Sequence, residues 1–373
     1  MYIDRRYRPR RRRSPWPIVV LILILAVAGY LLATRTKFFT NPFNPLQPTP
    51  TPTRSAASYL AEAEEHYQAG RLGDAVKAYA RVADLEPNNA DAFAQQAWLL
   101  TLLGHPEQGI EPARKAVALN SSAYNQAILA MALDWNGQYD EAIKVALAAV
   151  DKDPLSAEAH AILAEVYADK NNWARALEEA RTAAKLKPDS ALVQRNLGYV
   201  LERQGRYDEA IEAYTRAARL APKLGYIYIG AGHSYLAQGD YEAALAQFQK
   251  AVEANPDSPV GYDALGHGSA LAGDPDRAIS VLRKAIETDP TYGQAYAHLG
   301  RVYYTLLNWE AAIEHLSKAV ELGVRNEEYF YELGLSYVYL KECDHAVKWL
   351  EKALELNPNS RPALDGLKLC AKG

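Results

Sequence analysis

The stretch Ala191–Leu224, ALVQRNLGYVLERQGRYDEAIEAYTRAARLAPKL, decides the fold. Residues Ala191 to about Gln204 read as one amphipathic helix, and Gly205 stops it, because a helix end accepts a residue free to enter positive φ. Tyr207-Asp208-Glu209-Ala210 opens a second helix with acids in its first turn, where the helix dipole favours them. That helix ends before Pro222. Large residues such as Leu197, Ile211 and Tyr214 fill the space around small ones, so the unit is a helix pair that cannot bury its own apolar face alone.

Working outward, the same unit of about 34 residues is written nine times between Ala56 and Ser360. We number the blocks one to nine: 56–89, 90–122, 123–156, 157–190, 191–224, 225–258, 259–292, 293–326 and 327–360. The eighth slot is always tiny: Ala63, Ala97, Ala130, Ala164, Gly198, Gly232, Gly266, Gly300 and Gly334. The twentieth is Ala or Gly throughout, including Ala210, Ala244 and Ala278. The twenty-seventh is Ala in every block but the first, which has Val82. A proline closes seven of the nine blocks, from Pro87 to Pro358. Such slots let two helices approach closely, and each block leans on the next. Block two is one residue short, with Ser121 in the proline slot and Gly109 in the alanine slot. Block eight has Val324 for proline and Leu307 for the turn glycine, which predicts a wider or tighter turn there. Residues 361–373 begin like another first helix and then stop, as a cap would.

The period and this Gly/Ala, Ala, Ala, Pro order resemble the tetratricopeptide repeat. The resemblance implies an all-α, right-handed superhelical solenoid of helix-turn-helix units, a binding surface rather than a catalytic centre. It also implies that first helices line a concave groove where peptides or partner segments bind. Read at those slots, blocks one to four supply Glu64, Tyr67, Trp98, Tyr124, Asp134, Trp135 and Glu165. The richer group is in blocks five to eight. There Arg195, Asn196, Tyr199, Tyr226, His233, His267, Arg301 and Tyr304 are the expected partner-binding residues, able to hold a carboxylate or a backbone and to stack on side chains. Some members of the family clamp a peptide carboxylate with Lys, Arg and Asn; Arg195, Asn196 and Arg301 match those residue types but not the full pattern. An envelope glycan or another small ligand is the alternative occupant of so tyrosine-rich a groove.

The ends of the chain differ in charge. Met1–Lys37 holds nine Lys/Arg against one acid, Asp4; of the chain's 41 basic and 45 acidic residues this leaves 32 and 44, so the remainder is acidic by −12. An acidic array excludes nucleic acid as the expected partner, since that binding rests on neutralising phosphates. The uncharged run IVVLILILAVAGYLLA, Ile18–Ala33, follows seven arginines between Arg5 and Arg13 and precedes only Arg35 and Lys37. This predicts a basic cytoplasmic tail over 1–15 and a single transmembrane helix over 16–39, with the repeats on the exported side. Ala26-Val27-Ala28 has the form of a signal-peptidase site, but no polar region precedes it, so an anchor is favoured over a cleaved signal. Five prolines within 41–53 make 40–55 an extended linker.

No phosphate loop, dinucleotide motif, zinc-spaced Cys/His set or nucleophile elbow occurs, so no catalytic residue, cofactor or metal is expected. His233, His267 and His298 recur in adjacent blocks, but no carboxylate or cysteine recurs at matching slots. Cys343 and Cys370 are too few for a disulfide framework; they could pair across the tail, but idle thiols are the expectation.

Overall fold

The computed structural model describes residues 16–39, with side chains as far as Leu32, and residues 54–371. The basic tail 1–15 and most of the proline-rich linker, 40–53, lie outside the described residues. The chain divides at Arg54/Ser55 into two units. In the first, a 24-residue helix runs from Trp16 to Phe39, and its side chains from Trp16 to Leu32 are uncharged and exposed. Among the described residues no helix is long and apolar enough to cross a membrane.

The second unit is an all-α solenoid. The described residues form 20 helices and no strand, and those from Ala56 onward pair as the nine blocks foretell. Every first helix has 13 residues. Second helices have 14, except in block eight, where there are 13. Side-chain caps explain where several first helices start: Ser55, Asn89, Ser122, Ser156 and Ser190 each accept the backbone N–H three residues on. The residue missing from block two falls in the turn before Ala123.

The fifteenth slot has positive φ in all nine blocks. Glycine fills it six times, and Asn171, Leu307 and Lys341 fill it with φ of 57°, 60° and 64°. Block eight therefore has neither the wider nor the tighter turn that Leu307 suggested. The reason is the hydrogen bonding around it: Leu307 N–H donates to Tyr304 O and Asn308 N–H to Tyr303 O, as Gly205 and Arg206 do in block five. This closure outweighs a left-handed penalty of about 1–2 kcal/mol. The irregularity in block eight lies at its end, where Gly323 takes φ 92° in place of the proline turn.

Packing within each pair depends on slots eight and twenty-four together. In blocks five to nine the eighth slot is glycine, and the side chain over it is Tyr214, Phe248, Leu282, Leu316 or Leu350. In blocks two to four both slots are alanine: Ala97 with Ala113, Ala130 with Ala146, Ala164 with Ala180, all buried. Where slot eight lacks a Cβ, the facing slot carries a large side chain that fills the space over it, as a close-packed contact requires. Ala210, Ala244 and Ala278 are fully buried in the same interfaces.

Successive turns of the superhelix touch. Gly73 N–H donates to Asp257 Oδ2 at 3.0 Å, across 184 residues. Asn255 Nδ2 donates to the Gly70 carbonyl at 2.9 Å and to that of Lys223 at 2.8 Å, while Gly225 N–H donates to Asn255 Oδ1 at 2.6 Å. One block further, His105 Nε2 lies 2.5 Å from Asp289 Oδ2, again across 184 residues. Gly104 is pressed against the Tyr292 ring, which a Cβ on it would meet at 2.7 Å. Blocks one and two thus dock on the inter-repeat turns that follow blocks six and seven, and the core runs unbroken from Ala63 to Ala231.

The last block is stapled. Cys343 and Cys370 form a disulfide with a Cα–Cα distance of 5.4 Å, correcting the expectation of two idle thiols. The tail folds as a helix from Arg361 to Cys370 that lays Ala363 and Gly366 on block nine, and this brings Cys370 to the start of the second helix there.

Candidate functional site

The expected groove residues separate into two places. Arg195, Tyr199, Tyr226 and His233 line a cavity of about 550 Å³ between the superhelical turns. Asn196 sits behind its wall. His267, Arg301 and Tyr304 do not line it and stand on the first helices of blocks seven and eight.

Arg195 does not offer a free guanidinium to a partner carboxylate, as its groove slot suggested. It is 9% exposed and paired with Glu165, one block earlier. Its guanidinium lies 5.1–5.3 Å from the ring centres of Trp135, Tyr199 and Tyr226. Burial lowers its proton affinity, but Glu165 outweighs that, and its pKa is raised. Trp135 Nε1 donates to Glu165 Oε1 at 3.0 Å, and Asn196 Nδ2 donates to Glu165 Oε2 at 3.0 Å and to the Ala161 carbonyl at 2.8 Å. The Tyr199 hydroxyl donates to Asp169; burial and that carboxylate raise its pKa. The side-chain to side-chain bonds among these join residues 30 or 31 apart, a ladder running along the groove from block to block. Beside it Asp134 is buried, its carboxyl oxygens without a hydrogen-bond partner among the described residues. Burial, then Glu165 and Asp169, push its pKa up to about 9.

Sequence reasoning missed much of the cavity wall, including Glu202, Tyr214, His105 and Tyr292. Tyr214 donates to Glu202 Oε2 at 2.9 Å, and burial raises the Glu202 pKa. His105 and Tyr292 reach the cavity because the turns dock, which no slot in a single block reports.

In blocks six to eight the three histidines gather. His267 and His298 stack face to face, with ring centres 4.1 Å apart. His298 Nδ1 lies 2.7 Å from Asp263 Oδ1, a carboxylate that slot matching overlooked. Burial, helped by His298 and His233, lowers the His267 pKa to about 3. His233 opens onto the cavity but is walled by protein; burial and His298 lower its pKa, and Asp263 opposes them. Parallel stacked rings do not converge their nitrogens on a point, and among the described residues no group of three His, Cys, Asp or Glu is placed to hold a metal ion.

Further on, Arg301 Nε donates to Glu332 Oε1 at 3.0 Å, its Nη2 pairs with Glu328, and its guanidinium lies 4.8 Å from the Tyr329 ring centre. Tyr304 meets Trp309 edge-on, and Trp309 stacks on Tyr339 with centres 4.4 Å apart. Tyr339 is 49% exposed, with Leu306 and Leu307 beside this stack also exposed.

Comparison with known proteins agrees with the resemblance to the tetratricopeptide repeat. Tetratricopeptide repeat family patterns match residues 60–124, 129–191, 189–257, 270–335 and 327–360. No curated protein matches the chain. Among solved structures, the APC/C hetero-tetramer Cut9–Hcn1 is similar at 19% identity and a TM-score of 0.63, over 84% of this chain and 62% of that one. The chain therefore spans less than two thirds of that relative's length. The human IFIT1 dimer with m7Gppp-AAAA is similar at 18% identity and a TM-score of 0.56, over 86% of this chain and 82% of that one. At these identities the likeness is one of fold. With nine helix pairs in register and family patterns along most of its length, the chain belongs to the tetratricopeptide repeat family.

Proposed function

We propose that the chain is a non-enzymatic, membrane-anchored scaffold that recruits partner proteins or peptides on its repeat array. The observation that carries the recruiting surface is the aromatic stack of blocks eight and nine, in which Tyr339 is exposed and Tyr304 and Trp309 are half-buried. Tyr304, Trp309 and Tyr339 are rigid amphipathic anchors of the kind that dominate interfaces, and Leu306 and Leu307 extend them. Arg301 with Glu328 edges the stack as a polar rim. Arg195, Asn196 and Tyr226 are buried and are not part of this surface.

The helix Trp16–Phe39 is the proposed anchor, supported by seven arginines before it against Arg35 and Lys37 within it. The repeats then lie on the exported side. The Cys343–Cys370 disulfide supports that side, since such bonds persist in oxidising compartments.

Proximity labelling from the full chain in its native cell tests the reading. Tyr304→Ser with Tyr339→Ser is expected to remove a defined set of labelled proteins at unchanged abundance. A labelled set identical to the wild type sinks the proposed surface. Release of the chain from membranes by alkaline carbonate sinks the anchor.

A further inference from the structure

The chemistry of the aromatic stack narrows its partner further, on the reading that this stack is the recruiting surface. The seventeenth slot of one block and the thirteenth of the next meet twice around a tryptophan. Trp173 of block four lies under the guanidinium of Arg203 of block five, 5.8 Å from the ring centre. Trp309 of block eight lies instead against the ring of Tyr339 of block nine, with centres 4.4 Å apart. A cation covers the first tryptophan from within the chain. A second ring covers the other. Tyr339 has one face on Trp309 and is still 49% exposed, so its opposite face and edges meet solvent.

An open ring face carries the negative lobe of the ring quadrupole and attracts cations. The charge around it has the same sign. Glu310 follows Trp309, and Glu342 closes the turn after Tyr339; both are exposed. Glu332 lies within electrostatic reach of Tyr304, and Glu328 pairs with Arg301. Against these four carboxylates stand Arg301 and Lys341. An acidic segment is repelled by such a rim, and a purely apolar one leaves its carboxylates unanswered. Among cations the parallel stack selects a flat one. A guanidinium is planar and weakly hydrated, so it continues the stack while its N–H groups reach a carboxylate; an ammonium is compact and holds its water.

We propose that the partner segment presents an arginine whose guanidinium stacks on the open face of Tyr339, pairs with the acidic rim, and is flanked by apolar residues that lie on Leu306 and Leu307. Block nine then receives from its partner the contact that block five makes with Arg203.

The test uses the full chain in dodecyl maltoside micelles at about 0.15 M salt, where charges more than ~8 Å apart are largely screened. The probe is the acetylated and amidated peptide Gly-Leu-Arg-Leu-Gly. Its counterparts carry citrulline, the neutral isostere, or glutamate in place of arginine. Calorimetry should show the arginine peptide binding at about millimolar affinity and the citrulline peptide roughly threefold more weakly. Tyr339→Leu, which keeps apolar bulk without the ring, should weaken the arginine peptide roughly fivefold and erase its lead over citrulline. Tyr339→Phe, which keeps the ring, should bind as the wild type does. Equal affinity for arginine and citrulline in the wild type, no binding of the arginine peptide up to about 10 mM, tighter binding of the glutamate peptide, or an arginine preference that survives Tyr339→Leu overturns the proposal. If Tyr304→Ser with Tyr339→Ser empties the labelled set while arginine and citrulline bind alike, the recruiting surface stands and only its arginine is lost.

Discussion

Leu282 occupies the space above Gly266: a Cβ on the glycine would lie 2.6 Å from Leu282 Cγ and 3.2 Å from its backbone nitrogen. Slots eight and twenty-four are therefore one steric unit. Gly266→Ala should overpack it by about 1–3 kcal/mol, opposed by roughly 1 kcal/mol of helix propensity. Leu282→Ala alone should cost about 2–5 kcal/mol. The double variant recreates the Ala130/Ala146 pair of block three, so its loss should be at least about 1 kcal/mol smaller than the sum of the singles. Urea unfolding of the four proteins measures this; strict additivity would falsify the coupling.

Asn255 ties the turns from both sides, donating to Gly70 O and accepting from Gly225 N–H. Asn255→Ala strands these buried backbone groups, at about 1–3 kcal/mol for each. We expect a total loss of about 2–4 kcal/mol and faster hydrogen exchange at Gly73 and Gly225. If both amides keep their protection while stability falls, the docking of the turns does not depend on Asn255.

Asp134 gives the fold a pH dependence whose sign is unusual for a carboxylate. Its folded pKa is raised to about 9, chiefly by burial, against about 3.9 unfolded. The folded chain thus keeps a proton that the unfolded chain releases. This contribution is fully present below about pH 4 and is lost as pH rises toward 9. Asp134→Asn keeps the shape without the titration. It should flatten that alkaline loss and gain about 2–4 kcal/mol over the wild type between pH 5 and 8.5. Urea midpoints at the two pH values decide; an unchanged pH slope in the variant rules the account out.

The disulfide closes 27 residues of sequence onto the last block. On the chain-entropy account a loop of that size contributes about 3–4 kcal/mol. Replacing Cys343 and Cys370 by serine should therefore let the helix Arg361–Cys370 fray first. Exchange at Ala363 and Gly366 should rise while blocks one to five stay protected. Equal protection in both proteins would show that packing alone holds the cap.

Much of this architecture was legible in the chain itself. The nine blocks, their turn slot and their small residues follow from local rules, since caps, left-handed turns and Gly/Ala contacts are short-range. The ladder in the groove was also open to reading. Trp135, Glu165 and Arg195 stand 30 residues apart, which marks them as neighbours across a block boundary and as mutual partners. Treating each as a separate exposed slot made Arg195 look available for a carboxylate. The docking of His105 on Asp289 had no such signal. It depends on small rotations added over five blocks, and no single slot encodes that sum. The disulfide was hidden for a similar reason, because the path of the tail over block nine sets where Cys370 arrives.

Contact between turns also constrains the length of the array. In a solenoid with nearest-neighbour contacts alone, units can be added or lost at little cost to the rest. Here Gly73 must meet Asp257, and His105 must meet Asp289, at a fixed offset of 184 residues. Deleting one unit between blocks two and six would carry each partner a whole repeat out of reach. The stretch behaves as a counted coil, and only the units beyond block seven are free to vary in number.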